Sequence, residues 1–338
     1  MKKVVLVIGI LALLCFGLMA GEWGYHYYYD HRKPNFERKA LLYVYPDMSP
    51  AAIVDSVATK AGVLNRESLA RTFATGSAPR PGRYVVEPTM TSVALQRKVS
   101  GGWEDEMNLT IAPVFRTVEA FAAKVGPQLM IGEEALLSSL KDPAFLSRYE
   151  VDAASVLGFI LPDTYRVRWS LSAEELFDRL SKEYHAYWDG ERTDLARKQG
   201  LSPRQAAVLA SIVNEETKFA PEMPKVAGVY LNRLHRGMLL QADPTVAYCY
   251  GYSLKRVLLK HLEVNSPYNT YKNAGLPPGP ISCAPKACIE AVLHPEGDYL
   301  YFCASPAFDG THRFARTLAE HTRNAEAYRR ALSKAGIR

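Results

Sequence analysis

A single unbroken apolar run, Val4 to Ala20, constrains this chain more than any other stretch. Seventeen apolar residues sit at the short end of the roughly 17–25 that cross a bilayer core, and Lys2 and Lys3 precede them. No second run of this kind follows, which excludes a multi-span transporter. Two readings compete, a cleaved signal peptide and a retained anchor. A cleavage site calls for small residues in an A-x-A pattern, and Leu18-Met19-Ala20 offers a leucine at the first position. Cys15 lies inside the run behind Leu14, which argues against a lipoprotein. Trp23, Tyr25, Tyr27, Tyr28 and Tyr29 crowd just beyond it, as an aromatic belt at the far headgroup layer would. Retention is the favoured reading: residues 1–3 a cytoplasmic tip, 4–21 a single-pass anchor in the cell (inner) membrane, 22–39 a juxtamembrane segment. By the positive-inside rule the remainder lies outside the cytoplasm.

That remainder carries an ordinary core-forming composition, with 48% hydrophobic and 22% charged residues. Disordered, collagen-like and small disulfide-scaffold classes are excluded. The excess of 41 Lys+Arg over 35 Asp+Glu leaves only +6, too mild and dispersed to predict a nucleic-acid partner. Cys249, Cys283, Cys288 and Cys303 fall in the last third. In an oxidising compartment they allow three pairings, or they are small buried free thiols. Without a paired C-x-x-C, a zinc site is not expected.

Between about 40 and 125 a short pattern recurs. Tyr43-Val44-Tyr45-Pro46 is an extended run stopped by proline, and Ser49 then caps a helix carrying Ile53 and Val57. The spacing returns as Tyr84-Val85-Val86-Glu87-Pro88 with Thr91, Leu95 and Val99, and more loosely through Leu109, Ile111, Pro113, Thr117 and Phe121. Strand, proline turn, hydroxyl cap and amphipathic helix make a plausible supersecondary unit. Helical patterns dominate from Val118 to Glu216. After Tyr250 the chain turns rich in Pro, Gly and Asn up to Pro285, laced with Tyr268, Tyr271, Leu276 and Ile281, which reads as an ordered, site-forming loop.

The most informative segment runs from Ser202 to Thr217. Ser202 as N-cap, Pro203 at the first position and Gln205 closing a capping box all start a helix there. On a wheel of about 100° per residue, Val208, Leu209, Ile212 and Val213 define one apolar stripe. Glu216 falls within roughly 10° of its centre, Glu215 about 90° off, and Asn214 on the far side. The bland reading is that the helix ends and Glu216 reaches solvent. The functional one is a carboxyl in apolar surroundings, kept protonated near neutrality as a general acid for a departing glycosidic oxygen.

The surrounding residues resemble the endolytic murein transglycosylases of the MltG, or YceG-like, family of bacterial cell-wall enzymes. Ala210-Ser211-Ile212-Val213-Asn214-Glu215-Glu216-Thr217 is similar to the family's A-S-I-V-E-x-E-T helix. Lys225 to Leu234, Leu240 to Val246, Tyr268-Asn269-Thr270-Tyr271, Gly275 to Ile281 and Tyr299-Leu300-Tyr301-Phe302 follow in family order. Upstream, Gly158 to Tyr165 resembles G-[YF]-L-[FL]-P-D-T-Y. The chain departs from the pattern at Asn214, where an acid is usual, and at Thr322, where His312, Phe314, Glu320 and His321 are followed by Thr instead of Asn.

The resemblance implies an α+β fold: an N-terminal transmembrane helix, a small LysM-like α/β module over 40–125, and a mixed α+β YceG-like catalytic domain over 126–338 with its catalytic Glu on a helix. It implies a lytic transglycosylase acting on peptidoglycan glycan strands, a terminase of elongation working near penicillin-binding proteins, with no cofactor and no metal. Glu216 would protonate the oxygen leaving C1 of N-acetylmuramic acid. As carboxylate it would then take the proton from that sugar's C6 hydroxyl, which closes a 1,6-anhydro ring. Gln241, Asn269 and Tyr271 are expected around the sugar, with Thr245 and Asp163 weaker candidates. Asp243 is either a second carboxylate or an ordinary cap before Pro244. Rival readings are a lysozyme-type hydrolase using Asp243 and a non-catalytic wall-binding scaffold. Ser138-Ser139-Leu140-Lys141 fits S-x-x-K but no K-T-G accompanies it.

Overall fold

The computed structural model describes residues 2–111 and 114–336, with side chains from Leu6 onward. Lys2 and Lys3, invoked above for orientation, have side chains outside the described residues, and so does Pro113. The chain is mixed α and β, divided into two compact units: Met1–Asn108 with Arg166–Leu171, and Leu109–Tyr165 with Ser172–Arg338.

In the first unit, the apolar run forms the start of one helix, Lys2–His31. Thirty residues at about 1.5 Å each give roughly 45 Å, more than a hydrocarbon core requires. Its apolar side chains are exposed, and Leu6–His31 is long and apolar enough to cross a membrane. The helix does not stop at the juxtamembrane aromatics. It runs on to Asp30, which is buried and accepts hydrogen bonds from Ser68 Oγ at 2.6 Å and Arg71 Nη2 at 2.7 Å.

Beyond it, strands Ala40–Val44 and Gly82–Val86 pair antiparallel with Leu42 opposite Tyr84. Helices Pro50–Ala61 and Arg66–Thr75 lie between them in sequence, and Ser92–Gly101 follows. Ser49 and Thr91 cap their helices as expected, and Ile53, Val57, Leu95 and Val99 are buried with Leu42, Tyr84, Leu69 and Phe73. The third copy of the pattern also forms, as strand Met107–Thr110 and helix Val118–Val125 capped by Thr117. That helix belongs to the second unit, where it packs on Gly132–Lys141. Residues 125 and 126, between which a border was expected, both belong to this second unit.

The second unit is built around one helix, Pro203–Glu216. Its neighbours are Val156–Phe159, Met223–His235, Asp243–Cys249 and Lys286–Leu293, and residues 206–214 are buried on every side. A helix apolar all round belongs at the centre of a core. Helix Met223–His235 approaches the backbone before the strand Tyr301–Ala304 closely at Gly228, where a Cβ would lie 2.4 Å from the carbonyl oxygen of Glu296. Strand Tyr301–Ala304 pairs antiparallel with His312–Ala315, and the helix Leu318–Lys334 packs on both. Residues 250–285 carry no regular element longer than the short turn Leu259–Glu263.

Candidate active site

The acid-bearing helix begins as its sequence dictates. Ser202 Oγ accepts from Gln205 N and Gln205 Oε1 accepts from Ser202 N, a closed capping box with Pro203 in the first turn. Fourteen residues later its last turn carries Asn214, Glu215 and Glu216, and no charged side chain of that turn is left freely solvated. Asn214, expected on the far side of the wheel, is buried beside Ser282 and Cys288 because the core wraps the whole helix. The side chain of Glu215 is 5% exposed, and it accepts from Arg116 at 2.7 Å. The Arg116 guanidinium also lies over the Tyr252 ring at 4.1 Å.

Glu216 is half-buried, with its carboxyl turned inward. The hydroxyl of Tyr230, from helix Met223–His235, donates to its Oε1 at 2.6 Å. Among the described residues no hydrogen bond reaches Oε2, so that oxygen is where a proton would sit. Desolvation by burial pushes the Glu216 carboxyl up to about 7. The Tyr230 hydroxyl pulls the other way, the charge of Asp243 adds to the rise, and Arg233 opposes it. The result is a carboxyl poised to give and take a proton near neutral pH.

Tyr230 itself is buried, and its phenol is held well above its ordinary range by desolvation and by Glu216. Three residues on, Arg233 is buried and donates to the carbonyls of Leu300 at 2.7 Å and Leu240 at 2.7 Å. It thus ties the helix to the turn that presents Gln241 and Asp243. Gln241 is exposed and adopts a positive φ of 50°. Asp243 does not cap the helix Asp243–Cys249, whose N-cap is Ala242. Its Oδ1 instead accepts from the Tyr271 hydroxyl at 2.6 Å. Burial and this bond raise the Tyr271 phenol, and the charge of Glu216 adds to the rise.

The structure thus brings Glu216, Asp243 and Tyr271 together and adds Tyr230 and Arg233, which sequence reasoning did not select. Nothing in the local pattern marks Tyr230: it is one apolar-face residue among many until the Met223–His235 helix packs on its neighbour. Asn269 and Thr245 stand differently. Asn269 is fully buried, its Nδ2 donating to Leu262 O and Val264 O at 2.8 Å each and its Oδ1 accepting from Tyr271 N at 3.0 Å. Thr245 is fully buried between Ala242 O and Thr270 Oγ1. Both shape the turns that carry Tyr271 and Asp243. Asp163 accepts from Thr164 N and pairs with Lys286, which holds its carboxyl below the usual range.

The cysteines are free thiols: Cys283 and Cys288 are buried, Cys249 and Cys303 partly so. Among the described residues no group of His, Cys, Asp and Glu is arranged to hold a metal ion.

A family model described as the YceG-like family matches residues 42–327. The chain belongs to the YceG-like family. Among curated relatives, an endolytic murein transglycosylase of Bacillus subtilis is 29% identical over 303 residues, covering 84% of this chain and 83% of that protein. An endolytic murein transglycosylase of Streptococcus pneumoniae is 26% identical over 361 aligned positions, 94% of this chain and 64% of that longer protein. The crystal structure of a YceG-like protein from Listeria monocytogenes superposes with a TM-score of 0.56 at 28% identity, over 85% of this chain and 98% of that one.

Proposed function

We propose that this YceG-like protein is a lytic transglycosylase that cuts peptidoglycan glycan strands internally, leaving 1,6-anhydro-muramic acid ends, with Glu216 as the acid and then the base. The observation that carries the reading is the Glu216 carboxyl, held near pKa 7 by burial and fixed through Oε1 by Tyr230. A proton on Oε2 is available for the leaving glycosidic oxygen, and the carboxylate left behind can take the C6 hydroxyl proton of the same sugar. The attack is intramolecular, so no water is consumed and no second carboxylate is needed. Asp243 serves by its charge, which keeps Glu216 from ionising too early, while Tyr271 and Gln241 are the exposed or half-exposed groups left to meet the sugar. The relatives named as endolytic murein transglycosylases support the same substrate and reaction.

The LysM-like module of the resemblance is read over residues 40–125, with the strand–helix–helix–strand of residues 40–86 at its start. The helix Lys2–His31 is read as a single-pass anchor with its amino end cytoplasmic. On this reading the enzyme would work among nascent strands, beside penicillin-binding proteins.

The test is full-length protein in detergent, incubated with purified peptidoglycan beside a Glu216→Gln variant, with released fragments weighed. Fragments lighter by one water than hydrolysis products, and reduced at least about 100-fold in the variant, are the expected outcome. Ordinary reducing ends would make it a hydrolase. Unchanged release by the variant would remove Glu216 from the chemistry.

A further inference from the structure

The second unit holds a cavity of about 980 Å³ away from Glu216, at the opposite end of the same helix. Pro203 and Gln205 line it, and the helix from Pro203 to Glu216 spans roughly 20 Å. One wall is aromatic: Phe159, Tyr184 and Trp188, with Phe159 and Tyr184 at 5.1 Å between ring centroids. The segment Gly275–Pro280 also lines the cavity. That segment follows Tyr271 by four residues, so the loop that carries Tyr271 to Asp243 reaches the cavity within at most about 14 Å of chain.

The charges around the opening are spoken for. Arg204 pairs with Glu150, and the Asp152 carboxylate accepts from Ala154 N, Ser155 N and Ser155 Oγ. What remains for a ligand is aromatic surface, the imidazoles of His185 and His235, of which His235 bonds Gln199 O, and neutral polar groups such as Thr193 and Gln199. Trp188 contributes to the wall, and its indole N–H is buried with no acceptor among the described residues. Aromatic faces with neutral donors and acceptors in a cavity of ligand size suit an uncharged, hydroxyl- and amide-bearing ring. An acidic stem peptide would call for unpaired cations.

We propose that this cavity is a second saccharide subsite, which holds an N-acetylglucosamine unit of the glycan strand several sugars from the bond that is cut. The proposal rests on the reading of this chain as a glycan-strand enzyme and deepens it: a strand too short to reach the cavity is a poorer substrate, which favours internal cutting of long strands.

The experiment uses the full-length Glu216→Gln protein in detergent, titrated with an uncharged tetrasaccharide of N-acetylglucosamine while tryptophan fluorescence is followed. The expected result is a saturable change that disappears with Trp188→Phe, and about tenfold weaker binding with Thr193→Phe, which fills the cavity. In the active protein, Thr193→Phe should raise the strand concentration for half-maximal cutting of long glycans by a similar factor. Thermal melting of each variant, and a Tyr184→Ala variant made in parallel, separate loss of binding from loss of fold. No Trp188-dependent change, or binding indifferent to both well-folded variants, overturns the subsite. A response to free stem peptide and not to the tetrasaccharide overturns the saccharide assignment. If the tetrasaccharide binds as expected but wild-type protein releases no anhydro ends, the subsite stands and the transglycosylase reading falls.

Discussion

At the scale of single residues, the chemistry proposed for Glu216 turns on how two neighbours pull its proton in opposite directions. Tyr230→Phe removes the hydroxyl that favours the carboxylate, so the alkaline limb of the pH–rate profile should move up from about pH 7. The rate should fall about tenfold as the base step becomes harder. Asp243→Asn removes a like charge, so the same limb should move down. Equal shifts, or shifts of one sign in both variants, would show that these groups do not act through Glu216. Stability carries the same signature. The folded carboxyl titrates near 7 and an unfolded one near about 4.3, so its favourable contribution is complete below about pH 4.3 and lost as pH rises through 7. Glu216→Gln should therefore melt close to wild type at pH 4.5 and above it at pH 8. The gap should be roughly 3–6 °C, about 1–2 kcal/mol after allowance for partial exposure. A gap that is constant with pH would contradict a raised pKa.

At the scale of elements, the site depends on how closely helix Met223–His235 can lie. Gly228 allows it: an added Cβ would overlap the Glu296 carbonyl, whose own amide donates to Pro224 O at 3.0 Å. Gly228→Ala should lose about 2 kcal/mol despite alanine's better helix propensity, read as a melting temperature lower by roughly 4–8 °C. Because Tyr230 and Arg233 ride on this helix, activity should fall further than stability alone accounts for. The helix Pro203–Glu216 was legible in detail, from its capping box to the stripe that ends at Glu216, because both signals are local and periodic. Its burial on all sides was not. Asn214 read as outward-facing and Glu215 as flanking the stripe until Ser282, Cys288 and Arg116, all distant in sequence, close over them. The irregular stretch after Tyr250 announced itself by composition, yet the division of labour within it did not. Asn269 looked like a sugar-binding amide and spends its hydrogen bonds on the backbone that presents Tyr271.

At the scale of the whole molecule, the long first helix does two things. Its apolar part is long enough for a bilayer, and its last turn is fastened to the first unit by Asp30, Ser68 and Arg71. A soluble chain beginning at residue 30 should keep that fastening. Arg71→Ala leaves Asp30 without its cation and should destabilise the first unit by about 2 kcal/mol, seen as an earlier melting step, with the second unit's transition unmoved. A single shifted transition for the entire chain would mean that the two units do not melt independently.

Local order alone determined a good deal here: the apolar helix at the front, the capped helices at Ser49, Thr91, Thr117 and Ser202, and the place of Glu216 on the apolar stripe of its helix. Each of these rests on periodicity, end-capping or a run of motif residues, which act over one or two turns of chain. Only the tertiary structure decided that Tyr230 reaches Glu216, that Asp243 answers to Tyr271 and not to its own helix, and that the late cysteines stay unpaired. Those outcomes depend on which distant surfaces bury one another, and burial is what moves a carboxyl from its ordinary range to about 7.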